Sequence, residues 1–136
     1  MRYRAIGAAA VVCLAVAAFG YARWRTAGRE EIQAVTERVA AAAARAERDT
    51  LAAEPLLQNH PGTVDFLLRH GPALAAGYRV AVRRNGADGY HLLSGEVTHL
   101  GRIKSASGTL HLGFRYDRES GRLEFVVASF STWPPR

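Results

Sequence analysis

Hydrophobic patterning divides the chain into three stretches, and the first is the simplest. Residues Ala5 to Ala22 carry no charge, and Arg2 and Arg4 precede them. A helix of that length rises about 27 Å at 1.5 Å per residue, close to the roughly 30 Å hydrocarbon core of a bilayer. The pattern predicts a membrane anchor over residues 1–28, with Ala5, Val11, Val12, Leu14 and Phe19 in its apolar part. Tyr21 and Trp24 stand at the far end, where amphipathic rings favour the interface, and Arg23 and Arg25 can carry their charge to the headgroups. Ala15-Val16-Ala17 also fits the small-residue pattern of a signal-peptidase site, so a cleaved leader is the competing expectation.

The second stretch has helical periodicity. Ile32, Val35, Val39, Ala42, Ala46 and Ala53 recur at helical spacing among Ala-rich filler, which predicts one helix from Glu30 to about Ala53, with continuity into the anchor left open. Pro55 and the Asn59-His60-Pro61-Gly62 run end it. Thr63 is placed to cap a short helix through Val64, Phe66, Leu67 and Leu68, stopped by Gly71 and then Pro72.

After Gly77 the period changes to two. Strands are predicted over Tyr78 to Arg84, Tyr90 to Leu100, Ile103 to Tyr116 and Leu123 to Phe130. Asn85-Gly86-Ala87-Asp88-Gly89 reads as a hairpin loop, Gly101 as a tight reversal and Asp117 to Gly121 as a five-residue turn. In the third strand Ala106, Leu110, Leu112, Phe114 and Tyr116 share one parity and Ser105, Ser107, Thr109 and His111 the other, giving a buried and a wetter face. The predicted fold is α+β: a transmembrane helix, then an amphipathic helix and a short helix (about 30–71) packed on a four-stranded antiparallel meander (about 78–130), together one domain of 29–136, with arginines on both sides of the anchor leaving its orientation open. The tail after the last strand, Trp133-Pro134-Pro135-Arg136, cannot continue a central strand.

Charge and chemistry change this picture little. The net charge is +6, with Lys104 the only lysine among 18 basic residues, a usage that points to a GC-rich bacterial genome. Arg83, Arg84, Arg102, Arg115, Arg118 and Arg122 alternate with acids and apolar residues and form no stripe with stacking aromatics, which argues for a solvated surface over nucleic-acid binding. Cys13 lies inside the apolar run without the residues that precede a lipoprotein cysteine. The histidines lack metal-ligand spacing, so no metal or other cofactor is expected; a reversal centred on Gly101 would set His91 opposite His111, and that cross-strand pair is the one metal or pH-sensing candidate. Glu96 is the only acid in mid-strand, and the serines sit on no strand-to-helix elbow. No catalytic residue is identified and no small-molecule substrate is indicated, so the expected activity is binding, with Trp133 a candidate partner anchor.

One resemblance gives these features a shared context. His60-Pro61-Gly62-Thr63-Val64, Leu67-Leu68, Gly71-Pro72 and Gly77-Tyr78-Arg79-Val80, with Ser107-Gly108-Thr109-Leu110 and Gly121-Arg122-Leu123 further on, resemble the cytochrome oxidase complex assembly factor family of small one-span proteins. The chain departs from that pattern where Gly71 and Pro72 are adjacent, where Val82-Arg83 replaces a glycine position and where Leu123 replaces a tryptophan. The resemblance implies a single-pass inner-membrane assembly factor, its domain periplasmic, that binds a membrane-protein complex; Leu67, Leu68, Gly71, Pro72 and Tyr78 become the positions for partner contact. A pilin-like subunit is the alternative architecture, but no glycine-aromatic processing site and no acid within the apolar run supports it. A small ligand-binding domain or enzyme on a curved sheet is the third class.

Overall fold

A computed structural model describes residues 2–84 and 95–132. Helix α1, Arg2–Arg25, contains the predicted apolar run. It is separated from α2, Arg29–Ala44, by a turn in which Gly28 takes the left-handed conformation at φ 80°. The two helices are therefore distinct elements. Gly28 also lies against the ring of Tyr116, leaving no space for a β-carbon.

The single helix expected from Glu30 to Ala53 is two helices, because α2 stops at Ala44 and α3 runs Arg48–Ala53. Ala46 adopts φ 54°, the N–H of Ala46 donates to the Ala43 carbonyl at 3.1 Å, and the N–H of Glu47 donates to Ala42 at 2.9 Å. This is a left-handed C-cap built on alanine where glycine is usual, so the local sequence carries no stop signal. The bend lets Leu51 and, beyond it, Leu57 enter the core at 1% and 3% exposure.

Helix α4 runs Pro61–His70, capped at His60 and not at Thr63, and so starts three residues earlier than predicted. Pro61 occupies the first turn, where its fixed φ suits a helix and its missing N–H costs nothing, and Thr63 lies inside the helix without capping it. Gly71 does not stop α4 by turning left-handed: its φ is −56°, and a 3₁₀ turn continues over Gly71–Leu74. Its lack of a side chain serves a close approach instead, since a β-carbon there would collide with the Ala43 carbonyl oxygen of α2.

The sheet is a four-stranded antiparallel meander in the order β1-β2-β3-β4, comprising Arg79–Arg84, Glu96–Lys104, Gly108–Asp117 and Leu123–Thr132. The β2–β3 reversal lies at Ser105-Ala106-Ser107, where Ser105 N–H and hydroxyl both donate to the Gly108 carbonyl, at 2.8 and 3.1 Å. Gly101, predicted as the reversal, is instead a buried position in the middle of β2. The expected hairpin loop over 85–89, the expected strand start at Tyr90 and the tail from Trp133 lie outside the described residues.

Helix α2 packs on β1 and β2, and α4 with the 3₁₀ turn Pro55–Leu57 packs on β4. Ile32, Val35 and Val39 meet Val82, Ile103, Leu110, Leu112 and Phe114 in one core. Among the described residues the helices cover one sheet face, and pleating turns every other strand residue away from them.

Candidate functional site

Two features are not explained by folding alone: the uncovered surface of α1 and the open face of the sheet. From Arg4 to Arg23, α1 is long and apolar enough to cross a membrane, and none of that segment is buried in the rest of the molecule. Ala5, Val11, Val12, Leu14, Phe19 and Tyr21 are all exposed along it. Exposed apolar surface of this extent in water has no compensating contact, which makes the helix the first candidate for a binding element. Arg23 stacks over Phe19 at 5.7 Å near the C-terminal end, and the side chain of Trp24 lies outside the described residues.

The turn after α1 is fastened to the sheet. The Nε2–H of His99, a residue 1% exposed, donates to the Ala27 carbonyl at 3.0 Å, and Tyr116 packs on Gly28. His99 and Tyr116 sit near the same end of the sheet, at the start of β2 and the end of β3. The chain therefore leaves the domain toward α1 from a defined end of the sheet.

The open face is electrostatically divided. At the His99 end, Arg115 pairs with Glu96 at 3.7 Å, Arg122 with Glu124 at 3.2 Å, and Arg118 donates to the Glu96 carbonyl at 3.4 Å. Asp117 accepts from the Glu119 N–H at 2.9 Å and the Ser120 hydroxyl at 2.9 Å, and these bonds hold its carboxyl below the ordinary carboxylate range. Opposite charges are matched there.

The other end is basic. Register places Arg79 directly opposite Lys104, Ala81 opposite Arg102, and Arg83 opposite Leu100, so Arg79, Arg83, Arg102 and Lys104 share the face turned away from the helices. Arg79, Arg83 and Lys104 are exposed, Arg102 half-buried, and among the described residues none of the four is ion-paired with an acid. The Arg102 Nε is buried and has no hydrogen-bond partner among the described residues. His111, directly across from Arg102, titrates below its ordinary value, first because burial disfavours the imidazolium and second because the Arg102 charge repels it.

The other sequence-derived positions are dispersed. Leu67 is fully buried and Leu68 packs against the core, so both serve folding first. Gly71 is buried against α2, Tyr78 is half-buried against the core, and Pro72 is exposed. Trp133 and His91 lie outside the described residues. The cross-strand His91–His111 pair does not follow from the observed register, because the reversal at Ser105–Ser107 gives His111 the partner Arg102. His60 and His70 are aromatic spacers over β4: His60 meets Phe125 edge-on at 5.0 Å between ring centroids, and His70 stacks on Phe130 at 4.4 Å. Among the described residues no three of His, Cys, Asp and Glu converge as metal ligands.

The basic cluster was not recognised in the sequence because its members come from two strands. Alternation does mark it: Arg79 and Arg83 flank Val80 and Val82, while Arg102 and Lys104 flank Ile103. Only the correct β1–β2 register joins the two sets.

No protein family, curated protein or solved structure matches this chain.

Proposed function

We propose that this protein is a single-pass, membrane-anchored interaction subunit whose small α+β domain works by binding. The observation that carries this reading is α1: its apolar segment from Arg4 to Arg23 buries nothing against a domain that already has its own core. A bilayer is the natural solvent for such a helix, since its backbone hydrogen bonds are internally satisfied and its side chains are apolar. The domain lies outside the cytoplasm in this reading, and the resemblance to oxidase assembly factors names the partner class as a respiratory oxidase complex.

The test is direct. Washing membranes with alkaline carbonate should leave the full chain in the pellet, and a C-terminal tag should then bring down a larger membrane complex from mild detergent. Release by carbonate would remove the anchor from the proposal, and recovery of the chain as an isolated monomer would remove the subunit role. Oxidase subunits in the eluate would support the assembly-factor reading; a complex without them would redirect it to another membrane assembly.

A further inference from the structure

We propose that the basic half of the open sheet face, built on Arg79, Arg83, Arg102 and Lys104, docks an extended acidic segment of a partner protein. The inference rests on the membrane-anchored reading above and supplies the chemistry of the partner.

The arrangement runs against stability, which is the first reason to look for a ligand. Arg79 and Lys104 are direct cross-strand partners, a position at which like charges repel at roughly 5 Å between β-carbons. Arg102 is diagonal to both Arg79 and Arg83, and diagonal neighbours on a sheet stand about 7–8 Å apart. Each cation thus has another within about one screening length, about 8 Å at physiological salt, with Arg102 bridging Arg79 and Arg83, which are themselves about 13 Å apart along β1. The acids of α2, Glu30, Glu31 and Glu37, lie on the helix layer across the sheet and do not neutralise them. At the opposite end of the same face the protein pairs its charges, so the imbalance is local.

Side-chain chemistry narrows the occupant. Three of the four groups are guanidinium forks, which bind carboxylates through two parallel N–H···O bonds, and the buried Arg102 Nε has capacity for another acceptor. Among the described residues this half of the face offers no Phe, Tyr or Trp on which bases could stack, which disfavours single-stranded nucleic acid.

Position disfavours the anchoring bilayer. The turn leading to α1 is held at the Val97–Tyr116 row by His99 and Tyr116. The Arg79–Lys104–Thr109 row lies seven residues farther along the strands, about 23 Å at 3.3 Å per residue, well beyond two screening lengths. A headgroup layer at the turn reaches at most the nearer cations. An acidic strand of about seven residues laid along the face reaches all four.

The test uses the full chain in nanodiscs of uncharged phosphatidylcholine and a labelled peptide of about ten glutamates, long enough to cover the face. Fluorescence anisotropy should show binding that weakens as salt rises. The double variant Arg79→Gln/Lys104→Gln should bind about tenfold more weakly, and Arg38→Gln/Arg45→Gln, on the helical side, should bind like the parent chain. The face variant removes a like-charge pair, so its thermal stability should equal or exceed that of the parent, which separates lost binding from lost folding.

Equal peptide affinity in the parent and Arg79→Gln/Lys104→Gln chains overturns the proposal. So does tighter binding of a single-stranded oligonucleotide than of the peptide. Suppression of peptide binding by phosphatidylglycerol in the nanodisc, relieved by the face substitutions, would assign the cations to the membrane and also overturn it. Capture of the same membrane complex in equal amount by both chains would remove this face while leaving the anchored-subunit reading intact.

Discussion

Thr36 of α2 rests on Gly101 of β2 so closely that a β-carbon would collide with its hydroxyl oxygen. That hydroxyl already donates to the Ile32 carbonyl at 2.7 Å and cannot rotate away without losing a buried hydrogen bond. Gly101→Ala should therefore destabilise the fold by about 1–3 kcal/mol in chemical denaturation. Adding Thr36→Ala should return much of that loss, and additive effects of the two substitutions would show that the contact is not the cause. On the open face, His111 has a folded pKa below its ordinary 6.5, so its contribution to stability is complete above that value and is lost as pH falls from 6.5 through the lower folded pKa. Arg102→Gln removes the secondary cause and leaves burial, so an NMR titration should show the His111 ring moving part of the way back up. An unchanged titration midpoint would mean that the Arg102 charge is not felt there.

At the scale of elements, the break between α2 and α3 is the instructive case. Ala46 pays a steric penalty in the left-handed region of about 1–2 kcal/mol that glycine would not. Against this stands the larger unfolded-state entropy of glycine, so Ala46→Gly should raise stability by a net of about 0.5–1 kcal/mol, measured as a shift in the unfolding midpoint at constant slope. Destabilisation would mean that the cap is not formed as described. The sequence offered no warning of this break, because the alanines on both sides favour helix and the two capping bonds depend on a bend that lets Leu51 and Leu57 reach the core. The β2–β3 reversal was misplaced for a related reason. Gly101 and the Ser105-to-Gly108 run both carry turn chemistry, and the choice between them is made by pairing of β1 with residues 99–104 and by the need to accommodate Thr36.

For the whole molecule, the consequence of an unburied α1 is separability. A chain beginning at Thr26 keeps the His99–Ala27 bond and every core residue. It should be soluble without detergent and unfold within about 0.5 kcal/mol of the full chain, the range expected for changes away from packed contacts. Aggregation or loss of cooperative unfolding in that truncated chain would show that α1 supports the domain. The ion pairs on the helical side, Arg38–Glu54 at 3.1 Å with its carboxylate largely covered and the exposed Arg48–Asp65 at 2.8 Å, do not involve α1 and do not alter this expectation.

By itself the sequence determined the parts of this protein that depend on local pattern. An uncharged run of membrane length, a helical period and then a period of two specify an apolar helix, a helical layer and a four-stranded meander, since each signal is complete within its own segment. The tertiary structure alone decided where those segments bend and which faces they share. Register converted Arg79, Arg83, Arg102 and Lys104 from four dispersed charges into one surface, and it replaced the imagined His91–His111 pair with Arg102 beside His111. The physical reason is that a strand reveals which of its side chains lie on the same face, whereas their neighbours are fixed only when the partner strand's position is known to within one residue.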